Sequence, residues 1–252
     1  MVNILINGAN GRMGKKVREI CSSSPEVQAV CGIDLTENLT DNSFPIYSSF
    51  DKVKEAVDVV IDFSSPSSLD NELNWAIKTS TPVVLCPTGF TEEQIEKIAK
   101  ASKKVALFRS ANMSIGVNAI ISAVKEVAKK LIGFDVEIIE KHHHNKVDAP
   151  SGTALMLADA VKEIQNEKYY TYGREGIVGR RDVNEIGIHA VRGGSIVGEH
   201  DVIFAGESET ITISHQATDR AVFASGAVRA AIFMKDKKQG LFNMGDVLGT
   251  NV

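Results

Sequence analysis

The stretch VNILINGANGRMG, residues 2–14, is the most informative part of this sequence for the fold. It opens with a short apolar run, Val2 to Asn7, which is typical of a strand buried on both faces of a parallel sheet. Three glycines follow at positions 8, 11 and 14, and the segment KKVREIC after them has its apolar residues at helical spacing. A strand, a glycine-rich turn and a helix in this order predict the opening unit of a dinucleotide-binding fold.

The same strand-to-helix pattern continues to about residue 108, with a repeat of roughly 25 to 30 residues for a βα unit. The pattern predicts a doubly wound (Rossmann) parallel sheet with right-handed crossovers in an α/β domain. Thr91 is the expected N-cap of one helix, with Glu93 or Gln94 close to the capping-box position. The expected strands lie at 27–33, 58–63 and 104–108, with a further strand-to-loop junction at 81–90, and the expected helices after the first lie at 64–78 and 91–102.

The pattern changes after Asn112. Three segments that alternate apolar and polar residues predict strands that are partly exposed and antiparallel. Together with the flanking helices they predict a C-terminal α+β domain with helices on one face of an open sheet, antiparallel or mixed. The expected segments are a helix at 114–131, an extended run FDVEIIEKHHH at 134–144, a helix at 151–164, strands at 186–194, 198–206 and 209–217, and a helix from 221. We therefore expect a dinucleotide-binding domain over 1–113 and a second domain from 114.

Composition narrows the class of protein. The chain has 252 residues, of which 43% are hydrophobic and 24% charged, and this composition predicts a globular protein. A formal net charge of −4 argues against a nucleic-acid or anionic-membrane binder. Three cysteines without a CxxC pair favour a reducing compartment. With no secretion signal apparent at the N-terminus and no apolar run near the ~20 residues of a membrane span, we expect a cytoplasmic protein.

An acidic residue follows the glycine loop at the spacing that is typical of dinucleotide sites. Asp34 ends the second predicted strand, twenty residues after Gly14. In a dinucleotide site such glycines allow the backbone to approach the pyrophosphate, and such an acid binds the ribose hydroxyls. The spacing here is GxxGxxG, with Asn10 at the usual place of the second glycine. The alternative is an ordinary glycine-rich turn with a coincidental Asp; we favour a nicotinamide dinucleotide.

Asp34 also bears on the choice of cofactor. Its carboxylate would repel a 2′-phosphate, and Leu35 after it offers no compensating cation. Arg12 remains a cation within reach of a phosphate. We therefore predict a preference for NADH, with NADPH as a weaker cofactor.

The second notable segment is EKHHHNKVDAPSGTA, residues 140–154. A metal site is one interpretation, but an extended segment would point His142 and His144 one way and His143 the other, and no cysteine is near. We therefore assign no metal ligands. A solvated loop without a role is another alternative.

A chemical interpretation explains more of the segment. Hydride addition to a double bond leaves negative charge, and a histidine is suited to supply the neutralising proton. Lys146 can hold a substrate anion or donate a proton. Ser151 is a natural N-cap, and the N–H groups of Gly152 and Thr153 then form an anion site at a helix start. The segment predicts reduction of a small, anionic, unsaturated substrate.

Taken together, the motifs resemble the 4-hydroxy-tetrahydrodipicolinate (dihydrodipicolinate) reductase family of the diaminopimelate route to lysine. They are GANGRMG, Asp34, PTGF, SANMSIGVN, EIIEKHHHNKVDAPSGTA, REG, VGEH and the closing AVRAA and GLFNMGDVL. The resemblance spans essentially the whole chain. It implies NAD(P)H-dependent reduction of 4-hydroxy-tetrahydrodipicolinate to tetrahydrodipicolinate with loss of water. It also implies a homotetramer built by the sheet of a domain over 114–219, and a chain end, 220–252, that returns to the first domain.

The resemblance also assigns roles to single positions. It implies that His142 is the proton donor and acceptor and that Lys146 is a proton donor. Substrate contacts fall on His143, Gly152, Thr153 and Arg220, and we add Ser151 as the N-cap of the same turn. Cofactor contacts fall on Gly8, Ala9, Asn10, Gly11, Arg12, Met13 and Asp34, on Cys86, Pro87 and Thr88, and on Ser110, Ala111, Asn112 and Met113.

Three departures from the family pattern stand out. Cys86-Pro87 replaces a common Gly-Thr, and proline removes one backbone donor from the cofactor loop. Leu35 replaces a basic residue found in some members, and His144-Asn145 stands where Arg-His is common. Two other functions stay open on the residues alone: a different small-acid dehydrogenase of the aspartate or homoserine type, and a non-catalytic dinucleotide sensor.

Overall fold

The computed structural model describes residues 1–37 and 44–250, and the chain divides into two compact units. Unit 1 contains Met1–Ile115 together with Ala221–Val252, and unit 2 contains Gly116–Arg220. The chain thus leaves the first unit and returns to it, and the two junctions fall one or two residues after the expected 113 and 219.

Unit 1 contains a seven-stranded sheet in which every pairing is parallel. The strand order is β12-β6-β5-β4-β1-β2-β3, so the order reverses direction beside β1, as in a doubly wound fold. The strands are β1 Val2–Asn7, β2 Val27–Ile33, β3 Ile46–Tyr47, β4 Val59–Asp62, β5 Val83–Leu85, β6 Ala106–Arg109 and β12 Gly240–Phe242. The predicted doubly wound sheet is confirmed.

Hydrophobic helix faces cover the sheet of unit 1. One cluster joins Ile4 and Ile6 of β1 to helix residues such as Val17 and Ala227, and another joins Leu5 to Leu73. Alternate residues of β1 enter different clusters because side chains alternate across a strand. The helices are α1 Arg12–Ser23, α2 Leu69–Thr79, α3 Glu92–Ala101, α6 Ala221–Met234 and α7 Met244–Leu248.

Local signals fixed most helix starts. Thr91 accepts a hydrogen bond from the Gln94 N–H, and the Gln94 side chain accepts one from the Thr91 N–H, so the capping box uses Gln94. Pro66 lies in a 3₁₀ turn, Pro66–Ser68, and α2 begins only at Leu69. Two edge strands, β3 and β12, were not expected, because two or three residues are too few to show a period.

Unit 2 contains a five-stranded sheet with the order β11-β10-β7-β9-β8. The pairs β10·β11 and β10·β7 are antiparallel, whereas β7·β9 and β8·β9 are parallel. The sheet is therefore mixed, which confirms the mixed form of the expected sheet; alternation left strand direction open because it reports burial of one face. The elements are α4 Ile115–Lys130, β7 Asp135–His142, α5 Gly152–Ile164, β8 Tyr169–Tyr172, β9 Glu185–Arg192, β10 Gly198–Ala205 and β11 Thr210–Ala217.

The central strand β7 carries the feature that matters for function. Its even-numbered residues Val136, Ile138, Glu140 and His142 are buried, while the odd-numbered ones are half-buried. Val136 and Ile138 pack in one cluster with α4 and α5 residues. The strand ends at His142, so the expectation that the extended run continues to residue 144 was wrong. The buried face of β7 thus changes from apolar to polar at its carboxyl end.

None of the helices within 1–37 and 44–250 combines the length and the apolar character needed to cross a membrane.

Candidate active site

The glycine loop after β1 leaves room for a ligand to approach its backbone. Gly8 has φ +81°, and a Cβ at this position would lie 2.9 Å from the Phe63 carbonyl carbon. A Cβ on Gly14 would overlap the Gly8 carbonyl oxygen. Both positions therefore require glycine, one for backbone conformation and one for the close approach of α1 to the loop.

The loop is also held against the end of β2. The N–H groups of Gly8 and Ala9 donate to the Ile33 carbonyl at 2.9 and 3.1 Å. The Asn10 N–H donates to Asp34 Oδ2 at 2.8 Å. Asp34 thus sits beside the glycine loop, where the sequence pattern placed a ribose-binding acid.

A cavity of about 780 Å³ opens at this edge of the sheet in unit 1. Gly8, Gly11, Asp34 and Leu35 line one part of it, and Ser64 lines another. The size of the cavity fits a dinucleotide. The glycine loop, where Gly8 and Gly11 have no side chains to block a ligand, and the Asp34 carboxylate beside it fit one too. Arg12 and Met13 open α1 directly after the loop.

Two buried carboxyls adjoin residues that line this cavity: Asp62 precedes Phe63, and Glu72 follows Asn71. Asp62 and Glu72 are 1% and 0% exposed, and burial, with each other's proximity, raises the pKa of Glu72 well above its usual value. Burial likewise raises the pKa of Asp62, although hydrogen bonds from Ser64 oppose the shift. Asp62 Oδ1 accepts the Ser64 N–H at 2.7 Å, and Ser64 lines the cavity. We infer that the pair holds a proton, because two adjacent buried carboxylates repel each other.

Two further loops predicted to bind the cofactor follow β5 and β6. The Cys86 N–H donates to the Asp62 carbonyl at 3.0 Å, and Pro87 after it has no N–H to offer. Burial, together with Asp62 and Glu72, holds the pKa of the Cys86 thiol well above its ordinary value, so this thiol is neutral and a weak nucleophile. Thr88 follows in the same loop, and Ser110, Ala111, Asn112 and Met113 form the loop after β6. Parallel strands place both loops at the same carboxyl edge as the glycine loop.

In unit 2, one carboxylate organises the end of β7. Glu140 is fully buried, and its Oε2 lies 2.6 Å from His142 Nδ1. Its Oε1 accepts the Ser151 N–H at 3.0 Å. Burial alone would raise the pKa of Glu140, but hydrogen bonds from Arg192, His142 and the Ser151 N–H outweigh it and lower the pKa. The group is therefore a carboxylate that fixes His142 through Nδ1, which leaves Nε2 outside this contact.

Neighbouring strands supply the other partners of Glu140 and His142. Arg192 pairs with His142 in the β7·β9 register, and its guanidinium donates to both Glu140 oxygens at 2.7 Å. His200 pairs with Glu140 in the β7·β10 register, and its ring stands edge-on to that of His142 at 5.2 Å. A Cβ on Gly198 would lie 3.0 Å from His142 Nε2, so glycine leaves space beside that nitrogen.

Lys146 and Ser151 lie where the sequence predicted an anion site. The Lys146 N–H donates to the His143 carbonyl at 3.1 Å, and Nζ is 2.8 and 2.9 Å from the oxygens of Asp148. Ser151 caps α5 by accepting the Ala154 N–H at 3.2 Å. Gly152 and Thr153 form the first turn of α5, whose N–H groups point out of the helix start.

His143 and Arg220 meet at the edge of this region. Arg220 Nη2 lies 3.4 Å from His143 Nε2. Burial, then the charge of Arg220, lowers the pKa of His143, so its ring is neutral near neutral pH. Nδ1 of His143 is buried without a hydrogen-bond partner among the described residues. A buried ring nitrogen in that state suits a ligand hydrogen bond.

The structure thus brings the predicted residues into two groups. The expected cofactor residues share one edge of the unit 1 sheet, and the expected catalytic and substrate residues surround the end of β7 in unit 2. Glu140, Arg192 and His200 were missed as functional residues. Spacing could have found Glu140, two residues before His142 on an alternating strand, whereas the other two depend on strand register. Among the described residues, no group of three or more His, Cys, Asp or Glu side chains is placed to hold a metal ion.

Comparison with known proteins gives a consistent result. The family described as dihydrodipicolinate reductase, N-terminus, matches residues 2–113, and dihydrodipicolinate reductase, C-terminus, matches residues 116–248. A 4-hydroxy-tetrahydrodipicolinate reductase of Caldanaerobacter subterraneus subsp. tengcongensis is 52% identical over 98% of each chain. One from Clostridium tetani is 48% identical over 99% of this chain and 98% of the relative.

A solved structure supports the fold. Dipicolinate-bound dihydrodipicolinate reductase from Paenisporosarcina sp. TG-14 superposes with a TM-score of 0.81, at 24% identity, over 96% of this chain and 97% of the other.

Proposed function

The chain belongs to the dihydrodipicolinate reductase family and reduces 4-hydroxy-tetrahydrodipicolinate with a pyridine nucleotide, and we propose that His142 and Lys146 handle the protons of that reaction. The reaction adds one hydride and one proton to the substrate and releases one water. Family membership over nearly the whole chain decides against the aspartate or homoserine type of dehydrogenase and against a non-catalytic sensor.

We assign the nucleotide to unit 1. The reduced nicotinamide supplies the hydride when it is bound. The loop Gly8 to Met13 would hold the pyrophosphate through backbone N–H groups and the start of α1, and Asp34 would accept ribose hydroxyls. The loops at 86–88 and 110–113 lie at the same sheet edge and would hold the remainder.

His142 is assigned the proton transfer. Its Nδ1 is occupied by the Glu140 carboxylate at 2.6 Å, so the imidazole presents Nε2. A carboxylate in that place stabilises the imidazolium and fixes its orientation, as in a catalytic triad. Histidine can hold or release a proton at neutral pH, which is what a general acid and base requires.

The substrate carboxylates are assigned to the α5 start and its surroundings. The helix start offers the N–H groups of Gly152 and Thr153, with Ser151 as the cap. Lys146 adds a cation with three donors, of which the Asp148 carboxylate does not use all. Neutral His143, with Arg220 at 3.4 Å, adds a hydrogen-bonding ring and a second cation.

One observation carries this proposal. The Glu140 carboxylate contacts both the His142 ring and the Ser151 N–H, so a single buried group ties the proton donor to the carboxylate-binding turn. The test is a coupled assay with freshly generated cyclic substrate, in which the absorbance of the reduced nucleotide is followed. Oxidation that depends on this substrate supports the proposal, and its absence with saturating nucleotide contradicts it.

We predict that NADH is preferred over NADPH. Asp34 stands beside the loop and Leu35 is almost fully exposed, so the carboxylate of Asp34 would repel a 2′-phosphate without a neighbouring cation at 35. The expected KM for NADPH exceeds that for NADH by about tenfold, which corresponds to about 1.4 kcal/mol. Leu35→Arg should lower the KM for NADPH, whereas Leu35→Gln, similar in length but neutral, should not. Equal or lower KM for NADPH in the unaltered protein would contradict the preference.

We propose that four copies assemble through the domain over 114–219, the substrate-binding domain, and that the protein is cytoplasmic. Among residues 1–37 and 44–250, the edge strands β8 and β11 each have one side without a paired strand, and such edges favour association. The free cysteines Cys21, Cys31 and Cys86 suit a reducing compartment. Light scattering should give a mass of four chains, and a mass of one chain at micromolar concentration would contradict the assembly.

A further inference from the structure

His200 has no part in the reaction as assigned above, yet it lies inside the site. It is 4% exposed on β10, and its Nε2 is 3.0 Å from Ser151 Oγ. Burial, then the charge of His142, lowers the pKa of His200 to about 4. The ring is therefore neutral whenever the enzyme works near neutral pH.

The other hydrogen bonds of Ser151 determine which atom donates in its contact with His200. The Ser151 N–H donates to Glu140, and Oγ accepts the Ala154 N–H at 3.2 Å. The hydroxyl proton then needs an acceptor, and an unprotonated Nε2 of His200 provides one. If the ring donated instead, the hydroxyl proton would have no acceptor among the contacts that the described residues make with Ser151. The neutral ring thus holds its proton on Nδ1.

The charged groups around His200 are consistent with a neutral ring. His142 and Glu140 face it from β7, His215 faces it from β11, and Lys146 lies in the loop before α5. Cations and histidines dominate this set, and they disfavour a second positive charge. Nδ1 of His200 is buried and has no hydrogen-bond partner among the described residues. The hydrogen bond that holds the ring is therefore the one between Nε2 and Ser151 Oγ.

We propose that His200 is a positioning residue for substrate binding: its neutral ring accepts the Ser151 hydroxyl and thereby fixes the start of α5, where the substrate carboxylate is bound. This proposal rests on the assignment of the Gly152 and Thr153 N–H groups to that carboxylate. Ser151 is held at two atoms, by Glu140 through its N–H and by His200 through Oγ. Replacing the His200 ring by that of phenylalanine releases the hydroxyl and loosens the cap, while a ring still stands beside His142 and both Lys146 and the nucleotide loop are unaltered.

The test compares three substitutions at one site. His200→Phe keeps the ring volume and removes the acceptor, and we expect KM for the substrate to rise about tenfold, the effect of one lost hydrogen bond. His200→Gln places a carbonyl oxygen near the position of Nε2 and should restore KM to within about threefold of the unaltered protein, on the same scale. His200→Asn has the same amide group but lacks the reach, and should resemble His200→Phe. The value of kcat and the Kd for NADH should change little in all three.

A second arm isolates the contact with Ser151. Ser151→Ala and the double variant with His200→Phe complete a cycle, and KM of the double variant should equal that of Ser151→Ala. His215→Phe is the matched control, because His215 is the cross-strand partner of His200 and its buried Nδ1 likewise has no hydrogen-bond partner in the part of the chain that the structure describes. It should leave KM unchanged. Binding of pyridine-2,6-dicarboxylate, measured by calorimetry, should follow KM through the whole series.

The outcomes separate this proposal from the assigned function. Three results would overturn the positioning role in a protein that reduces the substrate. His200→Phe keeps the KM of the unaltered protein, the effects of His200→Phe and Ser151→Ala on KM add, or kcat falls with KM unchanged. If His200→Phe does not fold, the comparison of Gln with Asn decides, since equal KM values in these two also overturn it. Loss of all reductase activity in the unaltered protein would instead overturn the assigned function.

Discussion

His142→Gln is expected to lower kcat by about 10² or more, because it removes the imidazole that we propose as the general acid. The amide of glutamine cannot exchange a proton at neutral pH, although it can still pair with the Glu140 carboxylate. The Kd for NADH and the melting temperature should stay near those of the unaltered protein, since the nucleotide residues belong to unit 1. Steady-state kinetics with saturating NADH gives the first quantity, and NADH fluorescence and calorimetry give the other two.

Lys146→Ala belongs to the same prediction. It removes the proposed proton donor, which is also a cation that would face a dicarboxylate, so kcat should fall by about 10² or more and KM for the substrate should rise. The ion pair of Lys146 with Asp148 is partly exposed and contributes little to folding.

Each of these variants has a matched control in the same segment. His144 is exposed and lies in the turn after β7. His144→Gln should therefore leave kcat within about twofold, as expected for the substitution of an exposed side chain without an assigned role. Lys141 is on the other face of β7, paired with Glu199 and Asp201, and Lys141→Ala should behave likewise. Unaltered turnover in both His142→Gln and Lys146→Ala would refute the assignment of roles.

The second large effect is expected at Glu140. Glu140→Ala leaves Arg192, His142 and the Ser151 N–H without their shared acceptor, and breaking such a buried pair costs about 3 kcal/mol or more in the free energy of unfolding. Urea denaturation measures this cost. Glu140→Gln keeps the shape but not the charge, so we expect a smaller loss of stability and a kcat lowered by at least about tenfold, because His142 loses its orienting carboxylate.

The lowered pKa of Glu140 adds a pH signature to this prediction. A carboxyl whose pKa is lower in the folded than in the unfolded state stabilises the fold above its unfolded value of 4.5, and this stability is lost as the pH falls below that value. Glu140→Gln cannot titrate, so its unfolding free energy should fall less between pH 6 and pH 4 than that of the unaltered protein. Parallel curves for the two proteins would show that Glu140 carries no such contribution.

Much of the nucleotide-binding half was predictable from the sequence. Its signals are local: a buried run ends at the glycine loop, a helix follows, and Asp34 ends the next strand. Ser151 and Thr91 were recognisable as caps because a cap depends on a few consecutive residues. The very short strands β3 and β12 could not be predicted, since pairing with a neighbour rather than a periodic pattern defines them.

Sequence alone determined which residues could do chemistry: His142, Lys146 and the Ser151 turn lie within ten positions of each other. Tertiary structure decided how they are held. Arg192 reaches Glu140 across 52 positions and His200 reaches Ser151 across 49, because β9 pairs parallel and β10 antiparallel with β7. Strand direction and register are set by how the whole sheet packs against α4 and α5. The periodicity of a short segment reports neither of them.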